Sequence, residues 1–174
     1  MRLIPKPLEG EFAPYAIMYI GLLPDDGLVL SHMQENLTRI SNLVRPLSEV
    51  KRTQPFASGE WTINEILLHI VDDERIYAYR ALRAARNDHT ELPGFDQEAY
   101  VPYSDANRRS LDGILEEYAS VRAATITLFN NLPDEAFTRG NIANGHLMSV
   151  RAAAYHIAGH ELHHLNSIQQ NYLT

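Results

Sequence analysis

Residues 150–164 read Val-Arg-Ala-Ala-Ala-Tyr-His-Ile-Ala-Gly-His-Glu-Leu-His-His. One side chain in every three or four is suited to a packed helix face, which is the spacing of an amphipathic α-helix. Ser149 is a suitable N-cap, so we expect a helix from Ser149 to about Tyr172. Its seam contains two histidines where a helix bundle normally places leucine, and the seam residues are Val150, Ala153, Ile157, His160, His164 and Ile168.

Three further segments upstream show the same spacing. The first has its apolar residues at Leu30, Met33, Leu37, Ile40 and Val44, and Pro46 ends or kinks it. The second starts with the capping box Thr62-Ile-Asn-Glu65 and ends near Arg86-Asn87, with Ile63, Leu67, Ile70, Tyr77 and Ala81 as its apolar positions. The third follows Leu111, Ile114, Tyr118, Val121, Thr125, Leu128 and Leu132. Narrow apolar seams of this kind predict helices packed nearly antiparallel.

The remaining segments lack this periodicity. Residues 1–26 contain four prolines and predict an irregular arm along the bundle, while 87–106 and 133–148 predict long loops. Long loops in a compact protein usually cover something or carry function. The sequence therefore predicts one all-α domain over residues 1–174, a four-helix bundle with an irregular N-terminal arm.

Composition narrows the classes of function. The net charge of −7 and the alternation of arginines with acids argue against nucleic-acid binding, and Arg75, Arg80, Arg83, Arg86, Arg108 and Arg109 are interpreted as solvated helix faces. The absence of cysteine removes thiolate sites and disulfides. The apolar run Tyr15–Leu23 is too short for a membrane span and lacks the flanks of a signal peptide. We expect a cytoplasmic protein without membrane contact.

The histidines of the fourth segment point to a metal. His160 and His164 are four residues apart, which stacks two imidazoles on one helix face. A buried imidazole needs partners for both nitrogens, and a metal ion satisfies one nitrogen of each ring. His69, in the middle of the second helix, is the third candidate ligand. Three histidines that converge inside a bundle predict a divalent metal site.

Two better-known metal motifs fit less well. Residues 160–164 match H-E-x-x-H, the zinc-peptidase helix, but only ten residues follow His164 and the metzincin position for a third histidine is Gln170. Glu161-x-x-His164 resembles half of a di-iron site, yet the second helix offers Glu65-x-x-x-His69, which has the wrong spacing. Glu161 points about 100° away from His160 on a helix, so no catalytic base is assigned.

The other polar residues near these positions have simpler interpretations. His156 is an outer partner of the cluster or an alternative ligand, and His163 is a surface residue. His32, His89 and His146 are isolated solvent or loop residues. For Asp73 and Arg80 we favour an exposed ion-pairing face, with the lining of a pocket as the alternative.

Four stretches together resemble the DinB/YfiT-like superfamily of metal-dependent bundle enzymes, from about residue 15 to the C-terminus. They are Trp61-Thr-Ile-Asn-Glu-Ile-Leu-Leu-His69-Ile, Asp73-Glu-Arg-Ile-Tyr-Ala-Tyr-Arg80-Ala-Leu-Arg, Leu92-Pro-Gly-Phe-Asp-Gln and Val150–His164. The resemblance joins a histidine of the second helix to a late His-x-x-x-His. It implies an up-down-down-up bundle, often dimeric, with one divalent metal such as Zn²⁺ or Ni²⁺ held by His69, His160 and His164.

The resemblance also limits the functions to be considered. Characterised branches are thiol-S-transferases and isomerases that use a low-molecular-weight thiol such as bacillithiol, mycothiol or glutathione. An open metal position also suits hydrolysis by activated water. We therefore expect a metal-dependent enzyme, thiol-S-transferase-like or hydrolase-like, acting on a small molecule. The alternative is a non-catalytic metal-binding or stress-associated binding protein.

Overall fold

The computed structural model describes residues 1–173, and four long helices dominate it. In chain order the helices are α1 (Ile17–Ile20), α2 (Val29–Val44), α3 (Glu49–Thr53), α4 (Ile63–Ala85), α5 (Gln97–Tyr100), α6 (Leu111–Asn130) and α7 (Val150–Ser167). Short 3₁₀ turns lie at Pro14–Ala16, Val101–Tyr103, Ala106–Arg108 and Asp134–Thr138, and a π-helical turn at Ile168–Tyr172 extends α7. Helices α2, α4, α6 and α7 are the four that the sequence predicts.

The predicted caps are present. Thr62 Oγ1 accepts a hydrogen bond from the backbone N–H of Glu65 at 3.2 Å, and Glu65 accepts one from the backbone N–H of Thr62 at 2.7 Å. Ser149 Oγ caps α7 by accepting from Ala152 N–H at 3.1 Å. Asn87, just beyond the end of α4, has a φ of 58°, the left-handed conformation in which many helices end. These local bonds explain why the boundaries could be predicted.

One seam was partly misassigned. Along α6 the buried positions include Arg122 and Phe129, whereas the predicted seam residues Val121 and Leu128 are only half-buried. In each case the buried residue is the next one along the helix, while the predicted seam residues Tyr118 and Thr125 are buried as expected. The seam could not be placed correctly from apolar residues alone because its central member is an arginine.

Contacts between side chains give the helix directions. On α4 and α7, Tyr77 stacks on His156 while His69 lies against His164, so these helices are antiparallel. Arg122 of α6 bonds Glu74 of α4, and Asn107 just before α6 bonds Glu65 near the start of α4, so α4 and α6 run parallel.

The direction of α2 completes the topology. The Met33 carbonyl accepts from Arg122 and Arg45 pairs with Asp112 near the start of α6, so α2 is antiparallel to α6. The order is therefore up-down-down-up, as the sequence resemblance implied. Because α4 and α6 are parallel, residues 86–110 must return along the bundle, past a helix of 23 residues that is about 34 Å long.

That return segment is attached to a hairpin which the sequence analysis missed. Residues 133–148, predicted as a loop, contain strands β1 (Gly140–Ala143) and β2 (His146–Ser149), which pair antiparallel. Asn144 and Gly145 make the turn with φ values of 52° and 75°, and Asn-Gly is the usual pair for such two-residue turns. Leu92 bonds the backbone of Ile142 and Asn144 at 2.9 Å each and so fixes the return segment over the end of the bundle.

The N-terminal arm is irregular only in part. Its first thirteen residues form neither helix nor strand, but Pro14–Ala16 and α1 form a short helical segment that packs on α7. A Cβ at Gly159 would lie 2.3 Å from the Tyr19 carbonyl oxygen, so the glycine permits this close approach of α1 to α7. The arm consequently covers one side of the helix that contains the histidine motif.

The apolar residues of the helices form the core of a packed bundle. Over residues 1–173, no helix combines the length and the apolar character that crossing a bilayer requires. The apolar core instead consists of two clusters along the bundle, one around Leu30, Met33, Phe129 and Tyr155, the other around Ile63, Leu67, Ile114 and Ile168.

Candidate metal centre

Three imidazoles from two helices meet inside the bundle. His69 comes from α4, and His160 and His164 come from consecutive turns of α7. The Nε2 atom of His160 lies 3.0 Å from that of His69 and 3.1 Å from that of His164. One nitrogen of each ring falls within 4.8 Å of the others. The structure thus brings together the three residues that the sequence nominated as ligands.

Hydrogen bonding alone does not account for this arrangement. A neutral imidazole nitrogen either carries a proton or offers one lone pair, so Nε2 of His160 cannot both donate to one neighbour and accept properly from the other. Four ligands at about 2.05 Å around a tetrahedral ion lie about 3.3 Å apart. The observed separations are close to that edge length. The donor set and its spacing therefore fit a divalent ion such as Zn²⁺.

Burial keeps these rings in the state that a metal needs. Removal from water lowers the pKa of His160 to about 3, against a smaller opposing effect of the Asp73 carboxylate. The pKa values of His69 and His164 are lowered by burial as well. Burial thus favours the neutral form of all three imidazoles, which is the form that binds a metal ion.

Asp73 is not on an exposed face, and that preferred interpretation was wrong. It is 4% exposed, and its Oδ2 lies 3.3 Å from Nδ1 of His160 and 3.4 Å from Nε2 of His156. Burial acts to raise the pKa of Asp73, but the neighbouring imidazoles outweigh it and hold the pKa below its usual range. A carboxylate beside Nδ1 favours the tautomer of His160 that leaves Nε2 free for a metal.

His156 and His163 lie outside the three-imidazole cluster. The ring of His156 is buried and stacks on Tyr77 at 3.6 Å, and neither of its nitrogens has a hydrogen-bond partner within residues 1–173. His156 therefore lies next to Asp73 and outside the three-imidazole cluster. Of the two interpretations that the sequence left open, this position fits an outer partner rather than an alternative ligand. His163 is half-buried rather than on the surface, because its ring meets Tyr19 edge-on.

The three remaining histidines are not part of the cluster. His32 pairs with Asp26 at 2.9 Å, so it is not isolated, while His89 is exposed as expected. His146 is exposed in β2, with the centroid of its ring 6.4 Å from that of the Tyr15 ring. None of them belongs to the group of potential ligands.

Two cavities reach the cluster from different sides. One of about 260 Å³ is lined by His160 and Asp73 together with Arg80, Tyr19 and Tyr77, among others. The other, of about 400 Å³, is lined by His164, Trp61 and Glu98, among others. Gln97, the first residue of α5, borders both. His160 and His164 are therefore accessible to a small molecule.

The return segment and the start of α4 shape these cavities. Trp61 places its ring 4.8 Å from that of His69 and donates from Nε1 to Glu98 at 3.0 Å. Phe95 and Gln97 extend over the first cavity. The motif Leu92-Pro-Gly-Phe-Asp-Gln therefore contributes to the site by lining a cavity. The residue types of the motif did not predict this contribution.

Glu161 faces away from the cluster, as the helix geometry predicted. Its carboxylate accepts from Arg122 at 3.0 and 3.2 Å and from the hydroxyl of Tyr118, and Arg122 also bonds Glu74. All four residues are buried. The H-E-x-x-H glutamate therefore belongs to a core ion network that the sequence analysis did not detect, since charged residues on three helices gave no sign of converging.

Comparison with known proteins gives the same picture. Residues 32–168 match the model of the DinB superfamily. A relative from Oceanobacillus iheyensis, named "putative metal-dependent hydrolase", is 27% identical over 147 residues, which cover 80% of this chain and 81% of the relative.

A solved structure supports the fold. YfiT from Bacillus subtilis, described as "a probable metal-dependent hydrolase with an unusual four-helix bundle topology", matches with a TM-score of 0.77 at 17% identity, over 95% of this chain and 90% of YfiT. The topology, the convergence of three histidines and the match over most of the sequence agree. The chain belongs to the DinB superfamily.

Proposed function

We propose that this protein is a metal-dependent enzyme of the hydrolase class that holds one divalent ion through His69, His160 and His164. The observation that carries the proposal is the convergence of three neutral Nε2 atoms beside two cavities. Structural zinc sites are closed by four protein ligands, whereas catalytic sites keep a position open. Among residues 1–173, this group contains three ligands and no fourth.

The residues around the cluster have complementary tasks. A divalent ion bound here supplies Lewis-acid chemistry, which activates water for hydrolysis or the thiol of a small cosubstrate for transfer. Asp73 holds the orientation of His160 from the Nδ1 side. Trp61 packs against His69 and restricts its ring. The two cavities bring a small-molecule substrate to the open side of the cluster.

Hydrolysis is the first choice because the names of both relatives specify a metal-dependent hydrolase. Thiol-S-transfer with bacillithiol, mycothiol or glutathione is retained as a distinct outcome of the activity screen. A non-catalytic metal-binding protein is the third outcome. The cavities argue against it, since a purely structural or storage site has no need of a substrate-sized space beside the ligands.

We also propose that the protein is a single domain and that it forms a homodimer. We regard residues 1–174 as one domain, because the four long helices share side-chain contacts throughout the described chain. Homodimerisation is supported by the exposed apolar side chains concentrated near the N-terminus, which are Leu3, Leu8, Tyr15, Ile17 and Met18, each 48% to 65% exposed. Sedimentation that shows a monomer at micromolar concentration would contradict the dimer.

Metal analysis of untagged protein tests the ligand assignment. Wild type should contain about one divalent ion per chain, and His160→Ala should contain almost none because it loses the central imidazole of the three. His163→Ala is the matched control, since this neighbour lies outside the group. Equal metal content in wild type and His160→Ala would refute the assignment.

The reaction is then tested separately on the loaded protein. A panel of esters, amides and phosphoesters assays hydrolysis, and an electrophile with each of the three thiols assays transfer. Activity that disappears in His160→Ala but persists in His163→Ala identifies the reaction as one of this site. Loaded protein that is inactive in every assay, with a ligand-saturated ion by spectroscopy, would favour the non-catalytic alternative.

A further inference from the structure

Arg80 is a buried cation beside the histidine cluster. It lies on α4 two helical turns after Asp73 and is 4% exposed. Its guanidinium is placed over the ring of Tyr77 at 4.9 Å and that of Phe95 at 5.8 Å. One of its nitrogens donates to the Pro93 carbonyl at 3.0 Å. Two aromatic rings and one backbone oxygen thus fix the side chain in place.

The charge of Arg80 has no carboxylate partner. Among the described residues, no Asp or Glu oxygen lies within ion-pair distance of its guanidinium. Arg122, the other buried arginine, is matched by two glutamates. Burying a charge without a counter-charge costs free energy. The burial of the unpaired Arg80 guanidinium beside the histidine cluster therefore calls for an explanation.

The free donors of Arg80 open into the cavity that reaches His160. The arginine lines this space together with His160 and Asp73, and none of its nitrogens is buried without a hydrogen-bond partner. The cavity volume of about 260 Å³ corresponds to about nine water molecules. That space accommodates a small metabolite, with aromatic walls formed by Tyr15, Tyr19, Tyr77 and Phe95.

We propose that Arg80 binds the carboxylate of a small monoanionic substrate whose reactive group lies at the three-histidine cluster. The proposal rests on the proposed function and deepens it by naming the substrate class. A guanidinium presents paired N–H donors that match the two oxygens of a carboxylate. Arg80 is therefore a specificity-determining residue, which contacts the end of the substrate that does not react.

A carboxylate suits this cavity better than a phosphate does. The lining residues include one guanidinium, and the two oxygens of a single carboxylate match its paired N–H donors. A phosphate dianion would bring a second negative charge next to Asp73, and in metal-free protein no further lysine or arginine lines the cavity to offset it. The aromatic walls favour a planar or apolar body attached to the carboxylate.

Binding of simple probes to metal-free protein tests the proposal without the metal. Benzoate, benzamide and phenyl phosphate are titrated against the protein in EDTA and followed by NMR. Benzoate should bind about 10- to 100-fold more tightly than its neutral analogue benzamide, because the arginine contributes a charged hydrogen-bond pair. Equal binding of the two, absence of benzoate binding, or tighter binding of phenyl phosphate would overturn the proposal.

Variants locate the effect. Arg80→Met should lose benzoate binding to the level of benzamide, and Arg80→Lys should retain part of it. Arg83→Gln is the matched control, because this arginine of the same helix pairs with Asp88 and does not line the cavity. Benzoate binding that is unchanged in folded Arg80→Met, or equally lost in Arg83→Gln, would refute the role of Arg80.

The outcome is separable from that of the proposed function. Zn²⁺ content of Arg80→Met should equal that of wild type, since the ligands are untouched. A protein that binds benzoate through Arg80 but no metal contradicts the metal centre alone. A protein that binds metal and hydrolyses only uncharged probes, with no benzoate affinity, contradicts the anion subsite alone.

Discussion

Helices α4 and α7 contribute to two buried polar clusters, and these differ in how their buried polar atoms find hydrogen-bonding partners. In the ion network, Arg122 is surrounded by the carboxylates of Glu74 and Glu161, and the Tyr118 hydroxyl donates to Glu161. In the histidine cluster, His160 faces two further imidazoles across 3.0 and 3.1 Å. The first cluster matches donors to acceptors, whereas the second brings three imidazole nitrogens to one point.

This difference separates a structural cluster from a candidate functional one. A complete network needs nothing from outside the chain, so its contribution is to the stability and the specificity of packing. Three imidazole nitrogens that meet at one point cannot all satisfy one another, and under the proposed function a divalent cation would complete them. Glu161 and His160 are adjacent in the sequence, yet successive residues of an α-helix point in different directions. Glu161 therefore belongs to the ion network and His160 to the histidine cluster.

Breaking the ion network should produce the largest effect. Arg122→Met leaves two buried carboxylates without a counter-charge, and we expect a loss of about 3–5 kcal/mol in the free energy of unfolding. Urea denaturation in EDTA measures this loss independently of metal. The folded fraction should still bind metal like wild type, because the ligands are on the other side of α7.

A matched triple variant checks the reason for that loss. Glu74→Gln, Arg122→Met and Glu161→Gln together remove all three charges, so most of the stability should return. If the triple variant were as unstable as Arg122→Met, lost packing rather than unpaired charge would be responsible. If Arg122→Met were as stable as wild type, the network would contribute nothing measurable.

The outer partner of the histidine cluster should have an intermediate effect. Asp73→Asn removes the carboxylate beside Nδ1 of His160, and we expect metal affinity to fall about 10- to 100-fold. Competition with a chelator of known affinity measures the change. Asp72→Asn is the control on the same helix, because Asp72 is half-buried and lies near Arg75 instead. Equal affinities for the two variants would exclude an orienting role of Asp73.

Lowering the pH should produce the smallest of these effects, a gradual loss of stability of the metal-free protein. Burial holds the folded pKa values of the three histidines below 6.5, so beneath that pH the unfolded chain binds more protons. The stability of metal-free protein is therefore greatest above pH 6.5. It should decrease towards the folded pKa of His160, about 3, by at most about 1.4 kcal/mol per pH unit for each ring.

One histidine variant checks the acid prediction. In EDTA between pH 6.5 and 5, His69→Leu should flatten the acid loss of stability, because it removes one of the three rings whose pKa is lowered by burial. Identical slopes in wild type and His69→Leu would contradict this assignment.

Local patterns were sufficient for much of the fold. The capping box at Thr62, the N-cap Ser149 and the seam spacing depend on neighbours in sequence, and the structure has each of them. The turn of the missed hairpin was also visible as Asn144-Gly145, flanked by strand residues. Strands of only four residues carry too little alternation to be distinguished from a loop by sequence alone.

The sequence by itself determined four amphipathic helices and the helix faces on which His69, His160 and His164 lie, because both follow from the 3.6-residue turn. Only the tertiary structure decided that Asp73, Arg80 and Arg122 are buried. Charged residues normally remain in water, and whether one is buried depends on the groups that distant helices bring to it. Glu74 and Glu161 meet Arg122 in this way, whereas Arg80, among the described residues, has aromatic rings, one carbonyl and a cavity around it and no carboxylate partner.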